Sequence, residues 1–300
     1  MEKIIVTGGA GFIGSHIVDM LVDLSFDVHI VDNMSFGEES NINPKATLHK
    51  VDIRNFNDLN EVFKGVSYVF HEAALPQVQY SIENPSETHD INVTGLLNVL
   101  EASRLNNIKR VIFAASSAAY GDQATLPYSE DMEASPLSPY GAHKYIGEVY
   151  AKLYSKVYNL ETVCLRYFNV YGPRQSVGGS YPSVVAKFVD LLKNGKALTV
   201  TGDGEQKRSF VYVTDIARAN ILAMKSQNVG NGEVINIGTN ESYSVNKIAE
   251  LIGGEVVFIE KRIEPRATSA DIRKAKELLG WEPVVKIEDG ISELKKYNNI

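Results

Sequence analysis

The chain has 300 residues, 30 Lys and Arg against 37 Asp and Glu, and a formal charge of −7 at pH 7. With 44% hydrophobic and 22% charged residues it has a globular composition and the length to bury a core, and the acid excess argues against a nucleic-acid partner. No apolar run approaches the ~18 residues of a membrane span, the MEKIIVTGG start offers no signal-peptide core, and the single Cys164 cannot form an internal disulfide, so a reducing, cytoplasmic setting is expected.

In chain order, KIIVTG reads as a strand, FIGSHIVDMLVDL as an amphipathic helix, and DVHIVD and ATLHKVD as strands. FNDLNEVFK is helical, SYVFHEA a strand and THDINVTGLLNVLEASRLN a helix. KRVIFAAS is nearly all apolar, as a central parallel strand should be. A helix containing YGAHK and the strand ETVCLRYF follow. This alternation predicts βαβ units, hence an α/β fold with a doubly wound parallel sheet of Rossmann type. After Tyr171 the Gly- and Pro-rich GPRQSVGGSYP reads as a loop, and SVVAKFVDLLKNG, ALTVTG, RSFVYV, TDIARANILAMKS, EVINIG, SVNKIAELIGG, EVVFIE and DIRKAKELLGW alternate less regularly. The expected organisation is a Rossmann domain over 1–171 and a smaller C-terminal α/β substrate-binding part over 172–300, with chain crossings between them.

The first strand runs into TGGAGFIGSHIV, where Gly8, Gly11 and Gly14 fall at spacing three and Gly9, Gly11 and Gly14 satisfy GxGxxG. A strand before and a helix after make this a phosphate cradle, in which glycines admit a pyrophosphate to the free N–H groups of a helix start. The second strand ends at Asp32, about 18 residues past Gly14 and near the spacing of an acid that binds an adenosine ribose. A carboxylate there would repel a 2′-phosphate, and DNMSFG brings no Arg, so NAD is expected over NADP. Asp52 and Ile53 close the third strand and either flank the adenine or are an ordinary strand end. The six histidines are scattered, with no HExxH and no Cys/His spacing, and no metal site is expected.

Tyr140 and Lys144 are four apart, on one face at the start of a helix. A tyrosine titrates near pH 10, but a nearby ammonium and an oxidised nicotinamide would both favour the phenolate and make it a proton acceptor. The strand RVIFAAS ends in Ser116 and Ser117, about 24 residues earlier, beyond the carboxyl end of a strand where ligands bind in open α/β sheets. Tyr145, Tyr150, Tyr154 and Tyr158 are assigned to packing, the last three forming a stripe that could also meet a second subunit.

TGGAGFIG, Asp32, HEAALPQV, NVTG, SSAAYG, YGAHK, RYFNVYGPRQ and EPRATSADIRKAKELLGW together resemble the extended short-chain dehydrogenases/reductases, and among them the UDP-sugar 4-epimerases for UDP-glucose and UDP-N-acetylglucosamine. The resemblance covers nearly the whole chain; the glycine and YxxxK motifs mark the superfamily, RYFNVYGPRQ and the C-terminal motif the nucleotide-sugar enzymes. It implies that Gly8, Gly11, Phe12, Ile13 and Gly14 hold the pyrophosphate of NAD, Asp32 and Asn33 the adenosine ribose, and Asp52 and Ile53 the adenine, with Ala73, Ala74 and Asn92 lining the cofactor. Tyr140 is then the base, Lys144 holds the nicotinamide ribose, and Ser116, with Ser117 as alternative, bridges to the sugar 4-hydroxyl. Asn169 and Arg208 would contact the UDP diphosphate and Glu264 the uridine ribose. The chain departs from the family where an Arg-Pro-Gly-acid run is usual: KRIEPRATSAD leaves Lys261 or Arg262 as the basic contact.

The resemblance also bears on the reaction. Where 4,6-dehydratases have an acid pair and UDP-glucuronate decarboxylases a Glu, SSAAYG has Ser117 and Ala118. The site is expected to lack an extra acid or base and to epimerise C4 through a transient 4-keto sugar. The alternatives are a decarboxylase, a dehydratase, or a non-catalytic NAD-binding regulator. Thr268 matches the place where a bulky tyrosine restricts the family's pocket, so a 2-acetamido sugar is expected to enter as well. A homodimer through the 92–106 and 140–158 helices is expected, with no nucleic-acid or membrane partner.

Overall fold

Short β-branched runs separated by helices pair in parallel, and seven of them form one sheet. In a computed structural model of the chain, residues 1–176, 183–260 and 266–300 are described. Strands β1 (Lys3–Thr7), β2 (Asp27–Val31), β3 (Thr47–His49), β4 (Val66–His71), β5 (Arg110–Ser116), β6 (Glu161–Tyr167) and the strand Asn231–Ile237 lie in the spatial order β3-β2-β1-β4-β5-β6 and then Asn231–Ile237, every pair parallel. The order reverses between β1 and β4, which opens a crevice at the strands' carboxyl ends. The seventh strand comes from beyond residue 172, so the chain crosses back into the sheet from its C-terminal half.

Helices cover both faces, as an all-parallel sheet requires. On one face α1 (Phe12–Asp23) and the helix Val213–Lys225 pack Ile17, Val18, Leu21, Ile216 and Ala219 against Ile4, Val6, Ile112 and Leu165. The other carries α2 (Phe56–Val62), α5 (Gly95–Leu105) and α6 (Pro139–Tyr158), with Leu59, Leu96, Leu100, Ala151 and Tyr154 on Ile5, Val69, Val111 and Phe113. Between them α3 (Val78–Glu83) and α4 (Pro85–His89) follow β4, and α4 runs through a π turn, Asp90–Thr94, into α5. A third cluster joins the helices Val184–Lys193, Val245–Ile252 and Ile287–Asn298 around the strand Leu198–Thr201.

Some expected elements differ. Asp52 and Ile53 lie in the turn after β3, which ends at His49. RSFVYV does not form one strand: Lys207–Arg208 and Val211–Tyr212 are separate two-residue pairings, and the helix begins at Val213. The tyrosine stripe is also displaced. Tyr154 is buried, but Tyr145 and Tyr158 are exposed, and the outward apolar row on α6 is Tyr145, Val149, Leu153 and Val157, 40–54% exposed.

A buried ion pair fastens α6 to the sheet. Arg166 of β6 and Glu148 of α6 are 3% and 4% exposed, and two parallel N–H···O bonds of 2.7 Å join them. The guanidinium also stacks over the Tyr120 ring, 4.3 Å from its centroid. Burial raises the Glu148 pKa, and Arg166 opposes that rise. Removing one partner of such a pair leaves an uncompensated buried charge, so Arg166→Met is expected to cost about 3–5 kcal/mol, and the double replacement Glu148→Gln with Arg166→Met less than Arg166→Met alone. Urea unfolding read from the single Trp281, which is buried and donates to Asp215 O at 2.9 Å, checks both.

Candidate active site

A cavity of about 1310 Å³ opens at the crevice. Its wall includes Gly8, Gly11, Phe12, Ile13, Gly14, Asp32, Asn33, Asp52, Ile53, Ala73, Ala74, Tyr140, Lys144, Asn169 and Arg208. One hollow therefore brings together most of the residues expected to bind cofactor or substrate.

The cradle is built by close backbone approach. Gly8, at the end of β1, has φ +68°, and a Cβ there would meet Ala73 N at 2.7 Å. On Gly14 a Cβ would lie 2.2 Å from Gly8 O. Both positions need glycine, one for its left-handed backbone and close approach, the other for the tight seat of α1 on the loop. Asp32 accepts Ala10 N on Oδ2 at 3.1 Å and Met34 N on Oδ1 at 2.9 Å, which ties the loops after β1 and β2 together. Each oxygen keeps a lone pair for a ribose hydroxyl. Asn33 donates to Asp52 Oδ2 at 2.9 Å, and Arg54 also binds Asp52; together these donors, Arg54 foremost, hold the Asp52 carboxyl well below the usual range. These features fit NAD: an anion cradle that a side chain would fill, with a carboxylate where a 2′-phosphate would otherwise sit.

Tyr140 stands in the first turn of α6, where Ser138 caps the helix by accepting Gly141 N at 3.1 Å and Pro139 sets the first residue. Tyr140 N donates to Ser81 Oγ at 3.0 Å, and Ser116 is the neighbour that lowers the pKa of the phenol. Ser116 ends β5 and also accepts Ala118 N at 3.2 Å, while Ser117 opens the next turn. Lys144 is buried, donates to Ala114 O at 2.6 Å, and lies 5.0 Å from the Phe113 ring centroid and 5.9 Å from that of Tyr140.

The electrostatics differ from the expectation. Tyr140 has its pKa raised by burial, more than the Ser116 hydrogen bond lowers it, and the charge of Glu72 raises it further. Burial also lowers the Lys144 pKa, against the pull of Glu72 and Glu148.

Four other expected residues are not among the wall residues: Ser116 and Ser117, Asn92 and Thr268. Asn92, in the π turn, is buried behind it, accepting Leu75 N at 2.8 Å and donating to Leu75 O at 3.0 Å, so it braces the loop after β4. Thr268 donates its N–H to Lys207 O at 3.0 Å, beside Arg208, and its hydroxyl is buried without a partner. It is not among the wall residues. Arg262 and Glu264, with Lys261, lie outside the described residues. Sequence reasoning missed Glu72. It lines the cavity, its pKa raised by burial, so the site does hold a further carboxyl. An acid ending the apolar run SYVFHEA was the available signal. No group of metal-ligating side chains occurs among the described residues, and no described helix is long and apolar enough to cross a membrane.

Comparison with known proteins shows the family. Residues 4–238 match the model of the NAD dependent epimerase/dehydratase family. The fold superimposes with a TM-score of 0.94 on a UDP-glucose 4-epimerase from Thermotoga maritima solved with UDP-glucose, 39% identical over 99% of this chain and 98% of that one. A TM-score of 0.94 is also reached with a UDP-N-acetylglucosamine 4-epimerase from Methanobrevibacter ruminantium in complex with UDP-N-acetylmuramic acid, 38% identical over 99% and 97%. UDP-glucuronic acid decarboxylase 1 of Xenopus tropicalis is 33% identical over 99% of this chain and 72% of its own length. The chain belongs to the NAD dependent epimerase/dehydratase family, whose fold and NAD cradle it carries.

Proposed function

We propose that this chain is a UDP-sugar 4-epimerase, acting on UDP-glucose/UDP-galactose and on UDP-N-acetylglucosamine/UDP-N-acetylgalactosamine. The observation that carries the reading is Tyr140 with Lys144 on one wall, at the end of the strand that closes on Ser116, in a cavity that also receives Asn169 and Arg208. The cavity, at about 1310 Å³, exceeds the ~300–1,000 Å³ of a single small-molecule pocket, which suits a dinucleotide and a sugar nucleotide together. Residues 1–171 serve mainly the dinucleotide and 172–300 the sugar nucleotide.

NAD held in the cradle supplies a reversible hydride acceptor for the sugar C4, so that a 4-keto sugar stands between the epimers. Gly8, Gly11, Phe12, Ile13 and Gly14 would hold its pyrophosphate and Asp32 its adenosine ribose. Tyr140 takes the 4-hydroxyl proton and returns it, with Ser116 bridging phenol and sugar oxygen. Lys144 and a nicotinamide cation together offset the burial that raises the Tyr140 pKa. Arg208, with Asn169 beside it, anchors the diphosphate, which leaves the sugar free to turn and present its other face. Ser117 and Ala118 stand where a decarboxylase or dehydratase would place its additional acid, and neither moves a proton at neutral pH. A second copy of the chain fits the exposed row Tyr145, Val149, Leu153 and Val157 on α6.

Incubation with UDP-glucose and UDP-N-acetylglucosamine, followed by NMR of the anomeric protons, is expected to show the galacto epimers, with Tyr140→Phe slower by at least about 10²-fold; products of changed mass would mean a decarboxylase or dehydratase. Calorimetric titration should give NAD at least about tenfold tighter than NADP, and Gly14→Ala should weaken NAD by about tenfold or more. Light scattering is expected to give a dimer that Leu153→Glu converts to a monomer, and a monomeric wild type would remove the second copy from the model.

A further inference from the structure

Helix α6 opens on Ser138, Pro139, Tyr140 and Gly141, and a helix start leaves its first N–H groups without partners inside the helix. Pro139 has no N–H, and Ala142 N already donates to Ser138 O at 3.0 Å. Two donors remain, those of Tyr140 and Gly141. Gly141 N finds the Ser138 side chain within the same turn. Tyr140 N finds Ser81 Oγ at 3.0 Å, on α3 and 59 residues earlier. Ser81 is fully buried and is not among the wall residues of the cavity. No step of the proposed reaction uses it.

The direction of the Ser81 bonds is fixed. The hydroxyl has one proton, and that proton goes to Val78 O at 2.6 Å, because a carbonyl oxygen can only accept. A lone pair of Oγ is therefore turned to the Tyr140 N–H. Gln77, Val78 and Gln79 lie on the cavity wall. Asn92 holds the start of the same segment through both backbone polar groups of Leu75. The wall segment 75–79 and the first turn of α6 are thus tied together by one hydroxyl. Gly141, the next residue, is seated as closely against another segment: a Cβ there would lie 2.6 Å from Ala118 O, in the turn after β5.

We propose that Ser81 is a positioning residue for proton transfer: by accepting the Tyr140 N–H it fixes the stretch of backbone from which the phenol reaches into the cavity. The inference deepens the 4-epimerase reading and takes from it the role of Tyr140. A buried backbone N–H without a partner is costly, so without Oγ the first turn of α6 shifts or opens to find one. Any such shift is carried to the phenol, and a misplacement of about 1 Å costs a reacting group up to about 10²-fold in rate. Ser81 stands behind the wall, so its loss is expected in kcat and not in binding.

The test is a double-mutant cycle on NAD-loaded protein, with rates counted per bound NAD. Ser81→Ala removes the acceptor and is expected to lower kcat on UDP-glucose by about tenfold or more, with KM changed by less than about twofold. Ser81→Cys, of similar size and with a weaker acceptor, should fall between the two. Because Ser81 acts through Tyr140, adding Ser81→Ala to Tyr140→Phe should change the residual rate by less than about twofold. A merely structural role would lower the rate by the same factor in both backgrounds. That equal loss, or an unchanged kcat in Ser81→Ala, overturns the proposal. Exchange of the Tyr140 amide hydrogen, read by NMR without sugar nucleotide, is expected to be at least about tenfold faster in Ser81→Ala, and unchanged exchange also overturns it. If the wild type turns over neither UDP sugar while that exchange quickens, the epimerase reading is retracted and the hold of Ser81 on Tyr140 stands.

Discussion

The site depends on how α6 is seated on β5 and β6. One face of that helix carries Tyr140, Lys144 and Glu148, spaced by four, into the seam against the sheet, and all three are polar. Each must find a partner there, because an unpaired buried polar group costs more than most packing contacts return. Lys144 finds Ala114 O and Glu148 finds Arg166, partners on two adjacent strands, and Ser116 at the end of β5 acts on the Tyr140 phenol. The approach is close enough that a Cβ on Gly147 would lie 2.5 Å from the Phe113 ring. Register along this seam is thus fixed twice over, by Lys144 and by Glu148, and both hold the first turn of α6 at the end of β5.

Much of this was legible in the sequence, because the signals are local. The strand–TGGAGFIG–helix run determines its own geometry: Gly8 and Gly14 stand where a Cβ would collide with backbone, and the spacing to Asp32 is the length of one helix and one strand. Tyr140 and Lys144 share a face by helical period alone. The parallel order follows from β-branched runs alternating with helices. What failed to read through depends on pairing between distant segments. Asn92 sits in a π turn, and its partner is Leu75, so its inward direction could not follow from an α-helical count. The exposed row on α6 lies one residue from the tyrosine stripe, because Tyr154 is drawn inward by the sheet-facing core and by Glu101, which accepts its hydroxyl at 3.2 Å. Glu72 is tied to Tyr167, 95 residues later, a pairing that no local pattern announces.

Charge explains why the missed residue matters. The seam buries two cations, Lys144 and Arg166, and one carboxylate that is fully committed, Glu148 to Arg166. That leaves Lys144 bonded to a neutral carbonyl, in a place where desolvation favours losing its proton. A free-standing ammonium would be a poor investment for a core, unless a second carboxylate stood within electrostatic reach. Glu72 is that group, and the lowering of Lys144 and the raising of Glu72 by burial are two sides of one balance.

The two halves of the cavity differ in how firmly they are held. The Tyr140 side is built on the seven-stranded sheet and on helices with buried polar clamps. The Arg208 side hangs on two-residue strand pairs, Val170–Tyr171 with Val211–Tyr212 and Lys207–Arg208 with Tyr243–Ser244, and on side-chain bonds such as Asn169 Nδ2 to Ser209 O at 3.0 Å. Short pairings with few backbone bonds open at lower free energy than a sheet interior. A reaction in which the reacting ring must turn while its nucleotide stays bound asks for that division. On the proposed reaction Tyr140 would have to remain fixed at the sugar oxygen, whereas Arg208 would need only to keep its grip on the diphosphate. Buried polar clamps at the end of β5 and two-residue pairings around Arg208 are what the fold supplies.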